Sequence, residues 1–102
     1  MSAGAELISD IGRSGIQIFK GDKIHSWSLI ADGNEEATTV TVSGASLGNQ
    51  CLVSLSVDVT DIVLDAQVTA ANTVTVVAAN NTGGNITIGA STIYVTVLTT
   101  AP

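Results

Sequence analysis

Between residues 37 and 58 the chain reads ATTVTVSGASLGNQCLVSLSVD, two runs of strict alternation around a Gly/Ser/Asn break. In the first run Val40 and Val42 take one side and Thr39, Thr41 and Ser43 the other. In the second, Cys51, Val53, Leu55 and Val57 share a face opposed by Leu52, Ser54, Ser56 and Asp58. A period of two predicts a strand with one buried face, because successive side chains leave a pleated backbone on opposite sides. The same scheme continues downstream. Residues 59–71 set Ile62, Leu64, Ala66, Val68 and Ala70 against Val63, Asp65, Gln67 and Thr69, and residues 73–79 turn Val74, Val76 and Ala78 inward. Ile86 and Ile88 predict a short edge-like strand that Gly89-Ala90-Ser91 breaks. Residues 92–99 then oppose Ile93, Val95 and Val97 to Tyr94, Thr96 and Leu98. Upstream, residues 24–31 (IHSWSLIA) read as the first strand of the body. Turns fall at Asp32-Gly33-Asn34, over residues 44–50, at Asn72 and over residues 80–85 (NNTGGN), where Gly, Asn and Asp supply or tolerate positive φ.

Six or seven strands at this spacing predict an all-β fold, a two-sheet antiparallel sandwich with Ig-like or jelly-roll connections. The alternation does not choose between those connectivities. Residues 51–57 and 93–98 carry apolar side chains on both faces, as packing against another subunit would require. With 45% hydrophobic residues but only 3% aromatic, the core falls to Val, Ile, Leu and Ala. Thr and Val dominate the polar and apolar faces, and β-branched side chains favour a pleated surface over a helix. The 102 residues make one domain.

Residues 1–23 stand apart, with Gly4, Gly12, Gly15 and Gly21, short apolar clusters and every basic side chain of the protein. Gln17 between Ile16 and Ile18 predicts a short strand there. The division is an extended N-terminal arm over 1–23 and a sandwich over 24–102. A frayed tail is the plainer alternative, but a solvated tail has little use for Ile16, Ile18 and Phe19. The candidate partner contacts are therefore Arg13, Ile16, Ile18, Phe19, Lys20 and Lys23, joined by Trp27. The lone indole reads first as a core or interface anchor and second as an exposed recognition platform.

Charge narrows the functional classes. Arg13, Lys20 and Lys23 balance Glu6, Asp10 and Asp22, so the whole net charge of −6 belongs to residues 24–102. A surface of that sign repels a phosphate backbone, which argues against direct nucleic-acid binding. Cys51 and His25 are each single, which rules out an intrachain disulfide and a four-ligand zinc site. Asp58, Asp61 and Asp65 lack the glycine and terminal glutamate of a calcium loop. Gly83-Gly84 has no phosphate-loop lysine, and no serine sits in a nucleophile elbow. The expectation is a protein that is not an enzyme and needs no metal or cofactor. The start shows no signal-peptide pattern, and no stretch approaches the ~20 apolar residues of a membrane span. The two Asn-x-Thr triplets at Asn80 and Asn85 are read as coincidental.

Several pieces, in order, resemble small β-sandwich modules of tailed-bacteriophage virion proteins. They are SLIADG from Ser28, TTVTVSGASLG from Thr38, VSLS from Val53, AQVTAANTVTV from Ala66, NTGG from Asn81 and VTV from Val95. The resemblance spans about residues 24–99 and rests on strands and their turns. It implies a head decoration (cement) protein, made in the bacterial host cytoplasm. Such a protein would bind the major capsid protein on the outer capsid surface as a small homo-oligomer, with a trimer preferred. The alternative it implies is a tail or fibre accessory module that binds carbohydrate, with Trp27 and Tyr94 as the stacking platforms.

Overall fold

In the computed structural model of the chain, residues 16–59 and 61–100 are described, and among them the ordered elements are all strands. They are β1 (Ile16–Ile30), β2 (Glu35–Thr41), β3 (Gln50–Leu55), β4 (Val63–Ala70), β5 (Thr73–Ala79) and β6 (Ile86–Thr100). Two three-stranded antiparallel sheets result, ordered β1-β6-β3 (sheet A) and β2-β5-β4 (sheet B). Only β4 and β5 join as a hairpin within one sheet; the other four connections cross between sheets. The winding is that of a jelly roll with three strands per sheet. The ribbon of β1 with β6 continues as β2 with β5, and β3 and β4 return beside β6 and β5.

The core lies where the alternation puts it. The two central strands face each other with Val74, Val76 and Ala78 of β5 and Ile93, Val95 and Val97 of β6. Val40, Val42, Ile30, Ile62, Val68 and Trp27 complete it. At ~25 cal/mol per Å² of apolar surface removed from water, this interdigitated layer is the main stabilising term.

Four local expectations change. The boundary drawn after Lys23 falls inside β1, whose residues 16–23 pair with β6 from Thr100 to Ile93 without a break. Residues 1–15 of the arm lie outside the described residues. Gly89 bends β6 without ending it. Its φ of 79° is open to glycine at no steric cost, so the ladder with β1 runs on through it. The inward phase slips by one there, from Ile86 and Ile88 to Ser91 and Ile93, and β1 makes the matching slip between Trp27 and Ile30. Val57 is exposed because β3 ends at Leu55, and Ala70 is exposed because the β4–β5 register shifts after Val68.

Two asparagines tie the loops at opposite ends. Asn80, fully buried, donates from Nδ2 to the carbonyls of Ile30 (2.8 Å) and Gly84 (2.7 Å). Its Oδ1 accepts from the backbone N–H (3.0 Å) and hydroxyl (2.8 Å) of Thr82. At the other end Asn72, at φ 60°, donates its N–H to the Ala45 carbonyl (2.9 Å), and its Oδ1 accepts from Gly44 N–H (2.8 Å).

Candidate docking surface

Once the odd-numbered residues from Phe19 to Trp27 are turned inward, β1 must present Ile16, Ile18, Lys20, Asp22 and Ile24 on the outside of sheet A. The registers set Ile18 opposite Leu98 and Asp22 opposite Tyr94, with Leu52 of β3 opposite Thr96 and Ser54 opposite Tyr94. Apolar side chains thus adjoin across all three strands. Ile24 is 77% exposed, Leu52 63%, Ile18 58% and Tyr94 48%. At one end the face dips into an open hollow of about 380 Å³ lined by Ile16, Leu98, Gln50 and the residues beside them. The outside of sheet B is more polar, with Thr39, Thr41, Gln67, Thr69, Thr75 and Asp65, and Thr69 and Thr75 share a 2.8 Å hydroxyl hydrogen bond across the strands; its apolar residues, Val63 (57% exposed), Val77 and Ala37, sit together at one end. Both sheets mix polar and apolar side chains, but the larger ones, Ile, Leu and Tyr, are concentrated on sheet A, the kind of asymmetry expected of an interaction face.

Three of the sequence-picked contacts, Ile16, Ile18 and Lys20, lie on this face. The others do not. Phe19 points inward, its ring so close to Gly44 that a Cβ there would come within 2.8 Å. Lys23 spans the corner between the sheets, donating from Nζ to Thr38 Oγ1 (2.8 Å) and the Thr39 carbonyl (2.9 Å). Trp27 is 2% exposed and belongs to the core, so the exposed-platform reading of this indole is corrected. Arg13 lies outside the described residues. Ile24, Leu52, Tyr94 and Leu98 complete the face and were not singled out. Their signal was the apolar residue on the polar phase of each alternating run.

Polar groups gather along the β1–β2 corner. His25 Nε2 is 2.8 Å from Glu36 Oε2, Glu36 Oε1 accepts the Ser28 N–H at 2.9 Å, and the His25 ring meets Trp27 edge-on at 4.5 Å. Ser91 is the cross-strand partner of His25, which brings a serine, a histidine and a glutamate into one region. Ser91 is buried, however, and neither its Oγ nor Trp27 Nε1 has a hydrogen-bond partner. The base-to-nucleophile hydrogen bond from which acyl transfer starts is not made. An open cleft of about 630 Å³ beside Glu35 and Glu36 is lined by Leu29, Ile30, Asn34 and Asn81. Among the described residues no three His, Cys, Asp or Glu side chains stand close enough to share a metal ion.

Cys51 is half-buried on the inner phase of β3. Burial pushes its thiol above the ordinary value and the charge of Asp65 adds to the rise, against a backbone hydrogen bond at Val68. The thiolate is the reactive form, so alkylation near pH 8 should run slower in the folded protein than in urea. The fold favours the neutral thiol. Stability linked to this group is therefore complete below the unfolded-state value and lost as pH rises through the raised one. Urea midpoints measured at about pH 8 and about pH 10 should fall more in the wild type than in Cys51→Ala. An equal fall in both would show that the thiol takes no part.

No protein-family model matches the chain, and no curated protein or solved structure matches it either. The likeness to phage virion modules stands on the strand and turn pieces quoted above alone.

Proposed function

We propose that this protein is a structural virion component that works by adhesion. It is a decoration protein that lays the outer face of sheet A on the outer capsid surface of a tailed phage, against the major capsid protein. The observation that carries this reading is the row of Ile18, Ile24, Leu52, Tyr94 and Leu98 across one sheet, larger side chains than the Val63, Val77 and Ala37 that a mainly threonine-faced second sheet exposes. The acidic residues Asp32 and Glu35 lie at the β1–β2 connection and Asp58 and Asp61 in the β3–β4 connection, which the strand directions put toward the same end of the sandwich. There they keep crowded copies soluble without entering the face. Many copies in a fixed geometry convert a modest contact into firm attachment. The tail-module alternative needed two aromatic stacking platforms, and with Trp27 in the core only Tyr94 is left for it.

Leu52→Asp tests the face without touching the core, since Leu52 is exposed on the outside of sheet A, on its edge strand β3. Placing a carboxylate where an isopropyl group is to be buried should weaken co-sedimentation with heads of the encoding phage about tenfold or more. Circular dichroism should be unchanged. Wild-type binding by this variant would remove sheet A from the reading, and glycan-array binding without affinity for heads would replace it with the tail module.

A further inference from the structure

β1 is an edge strand. It pairs with β6 along one side from Ile16 to Ile30, and among the described residues no strand pairs with its other side. Natural edges are blunted by proline, bulges or inward charge, because an unpaired ladder recruits any strand that comes near. Residues 16–27 contain no proline, and their register with β6 never shifts; the one inward lysine, Lys23, is held by Thr38 and Thr39 of β2. β2 does not cover this edge. Gly21 shares the inward phase of Phe19 and Lys23, and a Cβ on it would meet the Thr41 carbonyl oxygen at 2.5 Å, so β2 lies beneath the strand.

The outward side chains on this edge read Ile18, Lys20, Asp22, Ile24, a sequence that matches its own reverse in hydropathy and complements it in charge. A two-fold axis through Gly21 would lay β1 antiparallel to a second β1. Ile18 would then face Ile24 of the second copy, and Lys20 would face Asp22 of the second copy, twice over by symmetry. Lys20 and Asp22 have no ion-pair or hydrogen-bond partner among the described residues, so the charges that would meet across this axis are uncommitted. We infer that the protein pairs with a second copy of itself through the free edge of β1, antiparallel and centred on Gly21. The product is one continuous six-stranded sheet, β3-β6-β1-β1-β6-β3. Both apolar faces then lie on the same side of it, doubling the surface described above and leaving it open. The inference goes beyond adhesion to a shell and does not need it.

Sedimentation equilibrium of the whole chain tests it, with Asp22→Lys, the charge swap Lys20→Asp/Asp22→Lys, and Leu52→Asp. The wild type should sediment at twice the chain mass. Asp22→Lys, which sets four lysines around the axis, should sediment at the chain mass, with an unchanged circular dichroism spectrum. The swap should restore the dimer, because each aspartate again faces a lysine across the axis. Leu52→Asp should remain dimeric, so failure of shell binding and failure of this pairing read out separately. A monomeric or trimeric wild type, a dimeric Asp22→Lys, or a swap that stays monomeric would each overturn the proposal.

Discussion

Asn80→Leu is expected to cost about 3–4 kcal/mol of stability, read as a fall in the urea midpoint with an unchanged slope. Leucine keeps asparagine's branched arrangement of four side-chain heavy atoms, so most of the loss comes from bonding, and its bulkier methyl groups add some overpacking. The carbonyls of Ile30 and Gly84 lose a common donor, and the Thr82 N–H and hydroxyl lose a common acceptor; the Ile30 carbonyl belongs to a buried residue, while exposed Thr82 and Gly84 keep their own 3.2 Å bond and access to water. Each stranded group costs about 1–3 kcal/mol, and loop movement recovers some of the sum. Asn80→Asp separates the two halves of the network. It keeps the acceptor for Thr82 but turns an anionic oxygen toward two carbonyl oxygens, so it should be at least as damaging at neutral pH. Part of the loss should return as acid protonates the new carboxyl. An Asn80→Leu protein within about 1 kcal/mol of the wild type would mean that the loops at this end hold themselves.

Gly21→Ala should cost about 2–3 kcal/mol, although one methyl group is all that is added. The new Cβ would meet the Thr41 carbonyl oxygen at 2.5 Å and Val42 Cγ2 at 2.8 Å. The first of these belongs to the backbone of the strand below and has no rotamer to change. Relief requires β1 to lift from β2, which lengthens the Lys23 contacts to Thr38 and Thr39 two residues away. Gly84→Ala is the control, since that position has open space around its Cβ direction. Equal midpoints for the two variants would show that β1 and β2 are free to separate.

Much of the sandwich was legible because a period of two has one meaning when nearly every inward residue is Val, Ile, Leu or Ala. Val74, Val76 and Ala78 were assigned inward from the pattern alone, Ile93, Val95 and Val97 to one shared face, and all six are buried. Misreadings came where local chemistry and long-range pairing disagreed. Gly89-Ala90-Ser91 carries a strong breaker signal, yet the β1 ladder holds it in the sheet, and no local window contains that partner. The same pairing carries residues 16–23 into β1. Lys23 looked like a contact for another chain because its acceptors lie on β2, fifteen and sixteen residues on, and become neighbours only when the sheets stack. Asn80 looked like an ordinary turn residue, because a side chain that bonds four groups from three places resembles, in sequence, one that bonds water. The docking face was half legible. The apolar residues on the wrong phase were visible, but which strands stand side by side to join them was not.

The pairing of the first strand with the last has a kinetic side. Among the described residues β1 has one strand partner, β6, which is synthesised only after the four strands between them. Until then no described strand pairs with β1, and among the described residues β4 with β5 is the one hairpin that can close early. Contacts this distant along the chain place folding in the slow range for domains of this size, milliseconds to seconds rather than microseconds. During synthesis β1 is therefore a waiting half of a lock, and the arrival of β6 closes the sheet in a single late step.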